Sequence, residues 1–395
     1  MLGIEALKTR ISKDLAVKML DLEKQREYLG GRIEKAIEGV LRHGHFVGGK
    51  EIELFESWLV EHTDFEFAIG VSSGTDALII ALMADGVKAG DAVFLPSFTY
   101  VATAEIVILL GATPVFVDVD PETYQISAQD LKEKIKLTIK LGKLRPVAII
   151  GVDLFGQPAP WSELVDIAKT YRLNLYADSA QSFGATYNNK TSGKLARATI
   201  LSFFPAKPLG AYGDGGAILT DSVDLVEKYR SIRSHGMGEN PYDIIRVGLN
   251  ARLDSLQAAI LLAKTVSFEE ECQKRQRNVE LYNKFLPSIY RRPSCSTNGK
   301  GAWSVYTILL PKWMDRKKCS QYLSQANIQH AIYYEKPLHL QDAYKKFHDK
   351  SSSLIVSETL SKHVLALPVH AYLAQNELDK VILILEEFSK QESPL

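Results

Sequence analysis

The chain has little cysteine, no excess of either charge and no long apolar run, and each shortage removes a class of protein. Its 395 residues hold only three cysteines, Cys272, Cys295 and Cys319, with no CxxC spacing. An odd, sparse set of this kind fits a reducing compartment rather than a disulfide framework. Lys plus Arg and Asp plus Glu both total 47, so the formal net charge is zero. That balance argues against a nucleic-acid partner or a basic membrane-facing surface. Charges interrupt the first residues, MLGIEALKTRISKDLAVKML, every few positions, so the apolar centre of a signal peptide is missing. Stretches such as Ala77–Ala84 are too short to span a bilayer. A cytoplasmic protein with no metal site is expected. No GxGxxG follows an early strand, which argues against a nicotinamide dinucleotide fold.

What remains is an ordinary globular composition, 46% hydrophobic and 24% charged, in a chain long enough for two domains. Residues 1–18 read as an amphipathic extension, and 26–47 as helical up to Gly48-Gly49. From Ala68 the chain alternates β-rich runs with helical ones, the pattern of α/β folding. Strands are expected at 92–95, 114–118, 147–152, 174–178, 200–203 and 216–220. Helices are expected at 75–84, 103–110, 129–135, 162–171 and 223–234. The strands should form a mostly parallel sheet covered on both faces. Asp254 is placed to cap a long helix running toward Leu286, which closes a large domain of residues 19–286. After a Pro- and Ser-rich stretch at 287–302, a smaller α+β domain should contain strands at 305–310 and 329–334 and helices at 316–326 and 375–388.

Three segments carry chemistry. In Ser72-Ser73-Gly74-Thr75-Asp76 a strand-like run gives way to a helix. Gly74 permits a tight turn, Thr75 offers a hydroxyl, and the helix amides suit a phosphate, although an N-capped helix needs the same residues. Asp178 ends a hydrophobic strand, where open α/β sheets bind ligands. There a carboxylate can keep a pyridinium nitrogen protonated, or merely cap the next turn. Lys207 lies in Ser202-Phe203-Phe204-Pro205-Ala206-Lys207-Pro208-Leu209-Gly210. Enclosure by Phe, Pro and Leu would depress its pKa and leave the free amine that Schiff-base chemistry requires; a snorkelling surface lysine is the alternative. With the aromatic Phe98-Thr99-Tyr100 between them, these segments supply a phosphate site, a stacking face, a ring-nitrogen partner and an amine, in that order.

From about Leu20 to the last helix the chain resembles the DegT/DnrJ/StrS family of sugar aminotransferases. The resemblance rests on PSFTYVATAE at 96–105, DSAQSFG at 178–184, SFFPAKPLGAYGDGG at 202–216 and VGLNARLDSLQAA at 247–259. The wording is most similar to the subgroup that aminates UDP-linked 2-acetamido-3-keto-uronates for surface polysaccharide and lipopolysaccharide. The resemblance implies a fold-type I α/β architecture with a seven-stranded-type sheet, and pyridoxal phosphate as cofactor. It implies that Lys207 bears the cofactor and shuttles the proton, Asp178 faces the ring nitrogen, Gln181 the ring hydroxyl, and Tyr100 the ring face. It gives the phosphate to Gly74, Thr75 and Ser202, with Asn250 reaching in from the partner of a homodimer. Arg252, Tyr333 and Tyr334 fall near the sugar nucleotide. The implied reaction moves an amino group, from glutamate, to a nucleotide-linked keto-sugar.

One departure bears on the sugar. Relatives that handle uronates carry His-Tyr-Pro before Pro-Leu, where this chain has Tyr333-Tyr334-Glu335-Lys336-Pro337-Leu338. Two alternatives share the same motifs. Sugar dehydratases of the family replace the lysine with histidine, and Lys207 argues against them. A non-catalytic, cofactor-binding regulator would keep the same contacts, and only turnover separates it from an enzyme.

Overall fold

The structure is a computed structural model and describes residues 14–240, 242–348 and 352–392. Among the described residues twelve strands follow one another: β1 (Phe67–Val71), β2 (Asp91–Pro96), β3 (Thr113–Val117), β4 (Arg145–Val152), β5 (Asn174–Asp178), β6 (Thr186–Tyr187), β7 (Lys190–Thr191), β8 (Ala198–Ser202), β9 (Gly216–Thr220), β10 (Gly299–Lys300), β11 (Tyr306–Leu309) and β12 (Val364–Leu367). Seven of them make one sheet in the order β1-β9-β8-β5-β4-β2-β3. Pairings from β3 across to β8 are parallel, and β9 alone runs against both its neighbours. The expected α/β architecture with a mostly parallel sheet is present.

Alternation along each strand explains why the sheet is covered on both sides. Val93 and Leu95 of β2, Ile150 of β4, Ile200 of β8 and Ile218 of β9 share one core with the helices Gly74–Ala84, Ala102–Leu109 and Val223–Ile232. The intervening Phe94 and Ile149 pack on the other face against Ala128–Leu141 and Trp161–Tyr171. Leu201, Ala217 and Leu219 do the same against Lys50–Glu61 and Ser255–Thr265. Each such large side chain, when fully buried, contributes about 1.5–3 kcal/mol of transfer free energy. The register brings Pro96, Val152, Asp178 and Ser202, at the C-terminal ends of parallel strands, to one rim.

A second core lies around the antiparallel pair β11–β12, whose register runs from Tyr306–Leu367 to Leu309–Val364. Helices Arg316–Gln325 and Gln375–Glu392 cover it, and Val279, Tyr282 and Leu286 extend it from the end of Phe268–Phe285. Val17 joins this core and exchanges backbone bonds with Asn327 and Gln329. The amphipathic expectation for residues 1–18 otherwise falls on positions outside the described residues.

Four expectations need correction. Residues 26–47 do not form one helix: Leu22–Leu29 ends at Gly30, and Arg32–His43 starts after Gly31, both glycines having positive φ. The long helix after Asp254 is broken at Val266-Ser267 into Ser255–Thr265 and Phe268–Phe285, and the Asp254 side chain makes no cap bond. Residues 329–334 are not a strand: their pairing with β12 is limited to the single Ala331–Ala366 bridge, and Gln329 instead bonds back to Val17. The strand that does pair there, β12, and the helix Ile355–His363 before it were not anticipated. No helix among the described residues is long and apolar enough to cross a membrane.

Candidate active site

At the rim, the helix Gly74–Ala84 begins against β8 and β9. Ser73 is its N-cap, its hydroxyl accepting from the Asp76 amide at 3.0 Å. A Cβ on Gly74 would stand 2.9 Å from that of Ser202, and one on Gly216 would overlap the Ser73 carbonyl carbon. Only glycine lets the turn sit this deep between the two strands. The first-turn amides of Gly74 and Thr75 therefore open beside the Ser202 hydroxyl, a set of neutral donors at the positive end of a helix dipole.

Asp178 ends β5 and is almost fully buried. Its carboxylate accepts from the Thr103 hydroxyl at 2.8 Å and the Ala180 amide at 3.3 Å. Burial pushes its pKa up, opposed by those two bonds and by the Lys207 ammonium. Burial in turn pushes Lys207 down, and Asp178 pulls it back up. Each charge thus acts on the other, the ammonium favouring the carboxylate and the carboxylate favouring the ammonium.

Gln181 is oriented at both ends of its amide. Its Oε1 accepts from the Phe155 amide at 2.7 Å, and its Nε2 donates to the Tyr334 hydroxyl at 3.2 Å. An amide nitrogen carries two protons, so one is left for a ligand. Tyr334 packs against Phe98 and Phe155, with centroids at 5.9 and 6.5 Å. Burial drives its phenol well up, and Asp178, Tyr333 and Tyr100 all contribute. Tyr100 is 56% exposed, its ring tilted at 6.5 Å from that of Tyr334, which leaves a face for a planar ligand. Tyr333 lies at the edge of the same aromatic group, 5.9 Å from Tyr334.

Asn250 and Arg252 lie beside the phosphate turn of their own chain. The Ser72 amide donates to Ala251 O at 3.0 Å, and Val71 bridges Arg252. The two side chains bond to each other, Arg252 Nη2 donating to Asn250 Oδ1 at 2.8 Å, while Asn250 is exposed and Arg252 Nε is buried without a partner.

Several residues of this site escaped the sequence. Thr103 reads in the sequence only as a helix start, yet it lies one turn after Tyr100 and its hydroxyl bonds Asp178. Asp153, directly after β4, donates its amide to the carbonyl of Asp178, the last residue of β5, so the strand-end position that marks one acid marks the other. Its carboxylate accepts from the Ala159 amide at 2.7 Å, Trp161 Nε1 at 3.0 Å, and the Ser179 and Ser182 hydroxyls at 2.7 Å each. The last two hold the turn that carries Asp178 and Gln181. His339 pins the start of the Tyr100 loop through Ser97, Nδ1 to Oγ at 2.6 Å. Among the described residues no cluster of His, Cys, Asp and Glu could hold a metal.

The DegT/DnrJ/EryC1/StrS aminotransferase family model matches residues 27–386. The chain belongs to this family. It is 40% identical over 358 residues to UDP-2-acetamido-2-deoxy-3-oxo-D-glucuronate aminotransferase of Pseudomonas aeruginosa, covering 90% of this chain and 96% of the relative. A DegT DnrJ EryC1 StrS aminotransferase from Brucella abortus superposes with a TM-score of 0.91 at 42% identity, covering 94% of this chain and 99% of that one. NtdA from Bacillus subtilis, with bound cofactor PMP, gives 0.86 at 28% identity, over 96% of this chain and 87% of its own. The protein is a pyridoxal-phosphate-dependent aminotransferase. The residues present fit that cofactor: an under-bonded buried carboxylate suits a ring cation, a lysine with depressed pKa suits the aldehyde, and the glycine turn suits the phosphate.

Proposed function

We propose that this aminotransferase moves an amino group from glutamate to a UDP-linked 3-keto sugar, a uronate, in the synthesis of surface polysaccharide or lipopolysaccharide. It would do so in the cytoplasm, as a homodimer with shared active sites. The observation that supports the chemistry most directly is the Asp178–Lys207 pair, a buried carboxylate and a desolvated amine acting on one another at the strand ends. The substrate class is supported by the Pseudomonas aeruginosa relative, whose name specifies a UDP-linked 3-oxo-glucuronate.

When bound, the cofactor carries the amino group between the two substrates and takes up negative charge at the carbon that loses a proton. Lys207 would hold it and, as an amine whose pKa burial lowers, would accept and return that proton. Asp178 keeps the ring nitrogen protonated, and Thr103 and the Ala180 amide fix the carboxylate in place. Gly74, Thr75 and Ser202 bind the phosphate, with Asn250 of a second copy completing it. Gln181, held between Phe155 and Tyr334, would have an amide proton free for the ring hydroxyl, and Tyr100 would offer its exposed face to the ring. Arg252 grips the sugar carboxylate with its planar fork, a geometry suited to two parallel bonds. Tyr333 borders the sugar and offers a hydroxyl donor at the place where uronate-handling relatives carry histidine, a side chain able to hold positive charge.

Borohydride reduction of the loaded protein tests the centre of this reading: the cofactor becomes fixed to the peptide containing Lys207, and labelling of another lysine overturns the assignment. The sugar is tested with paired 3-keto sugar nucleotides, one with a carboxylate at C6 and one without. The uronate should turn over faster, Arg252→Ala should erase that preference, and Tyr333→His should strengthen it. Strong preference for the neutral sugar, unaffected by Arg252→Ala, refutes the uronate.

A further inference from the structure

The backbone that follows Lys207 is held from behind by three side chains of the two helices after Asp254. Lys264 Nζ donates to Gly210 O at 2.7 Å, Arg275 Nη2 donates to Pro208 O at 3.3 Å, and Gln257 Oε1 accepts from the Tyr212 amide at 3.0 Å. Inside the loop, the Lys207 amide bonds Phe204 O at 2.8 Å and the Ala211 amide bonds Phe203 O at 2.7 Å. Gly210 sits so close to the Phe204 and Pro205 carbonyls that no Cβ fits there.

Lys264 is the unusual member. It is 1% exposed, its ammonium lies 4.3 Å from the centre of the Tyr212 ring, and its hydrogen bond goes to a neutral carbonyl. A buried lysine with no direct carboxylate partner is unfavourable for packing alone, and a methionine would fill the volume at lower free energy. Glu271, which pulls the Lys264 pKa up against the burial that pushes it down to about 8, is itself occupied. It accepts from Ser267 at 2.9 Å, Tyr372 at 3.0 Å and Gln25 at 3.1 Å, and pairs with Arg275 at 3.5 Å.

We propose that Lys264 is a positioning residue for Lys207, its ammonium anchoring the Gly210 carbonyl so that the catalytic amine is presented from a fixed loop. The proposal rests on the role given to Lys207 above, which borohydride labelling of the wild-type protein decides independently. Three variants test it: Lys264→Met removes the donor, Lys264→Gln keeps a donor without charge, and Gln257→Ala removes the neighbouring acceptor. Expected for Lys264→Met is about a tenfold or larger fall in kcat with KM for glutamate little changed. In the cofactor-free protein, amides of residues 204–213 should exchange hydrogen several-fold faster while the sheet keeps its protection. Lys264→Gln should recover most of both, and Gln257→Ala should show the same pattern more weakly. Wild-type kcat and loop exchange in Lys264→Met overturn the proposal, as does a Lys264→Gln variant no better than Lys264→Met. If Lys264→Met does not fold, near-normal kcat in Lys264→Gln together with faster loop exchange in Gln257→Ala supports the proposal. Wild-type exchange in Gln257→Ala then overturns it.

Discussion

Asp153 and Asp178 stand at the ends of neighbouring parallel strands, both buried, both pushed toward higher pKa by that burial. Their surroundings divide them. Asp153 meets four donors, an amide, an indole and two hydroxyls, which is about the full capacity of a carboxylate. Asp178 meets one hydroxyl and one long amide bond, and it faces Lys207. A saturated carboxylate is structural, whereas one left short of donors in a cleft is poised for a ligand's positive charge. Position in the sheet is therefore a poor guide to role, and the count of satisfied lone pairs a better one.

The largest expected effect breaks the pair apart by activity. Asp178→Asn should lower turnover by about 10²–10³-fold, the order found when one preorganised electrostatic partner of a reacting group is removed. Asp153→Asn should stay within about tenfold of wild type, since it acts only by holding Ser179 and Ser182. Single-turnover kinetics with glutamate checks both, and equal losses would remove the distinction. The next effect is on stability and reverses the order. At Asp153 an amide offers one acceptor oxygen to four donors, so Asp153→Asn should destabilise by about 2–4 kcal/mol in chemical denaturation. At Asp178 the same change removes a poorly solvated charge, so the cofactor-free Asp178→Asn protein should be at least as stable as wild type, a trade of stability against function. Thr103→Val is smaller: loss of one charge-assisted bond should reduce turnover about tenfold without changing the fold, and recovery in Thr103→Ser identifies the hydroxyl as the cause.

Much of this site is legible in the sequence because its chemistry is local. A glycine turn before a helix, an acid at a strand end and a lysine among aromatic and proline residues are short-range signals, and β5 and β9 occupy the residues expected for them. Long-range pairing is not local, and there the sequence is ambiguous. Residues 329–334 have strand composition, but their pairing with β12 stops at one bridge, Ala331–Ala366, which depends on a partner more than thirty residues away. Arg26–Val47 has helical periodicity across Gly30-Gly31, and positive φ at both breaks it. Asp153 and Asp178 look alike because hydrogen-bond donors arrive from distant positions: Trp161, Ser179 and Ser182 for one, Thr103 for the other. Lys264 reads as a solvated helix residue, and only packing against Gly210 and Tyr212 removes it from water.

The smallest effect lies in how stability depends on pH, and its sign can be worked out for the cofactor-free protein. Burial raises Asp178 above its ordinary 3.8, so the folded chain holds that proton more tightly than the unfolded chain. The stability this group contributes is complete below 3.8 and is lost as pH rises through its folded value. Lys207 acts in the opposite direction: burial lowers it from 10.5, so its contribution improves as pH climbs from the folded value toward 10.5. Wherever Asp178 has lost its proton while Lys207 keeps its own, the cofactor-free site subtracts most from stability. A cofactor that brings a ring cation to Asp178 and bonds the Lys207 amine relieves both penalties at once. Asp178→Asn should flatten the decline that begins above 3.8, with the alkaline limb retained. Asp153→Asn should flatten it too, since burial also raises that group, but on a baseline lowered by its lost donors. Denaturation midpoints across this range, compared with those of the loaded enzyme, check the signs. If Asp178→Asn keeps the full wild-type slope, Asp178 is not the group that titrates, and its contrast with Asp153 rests on activity alone.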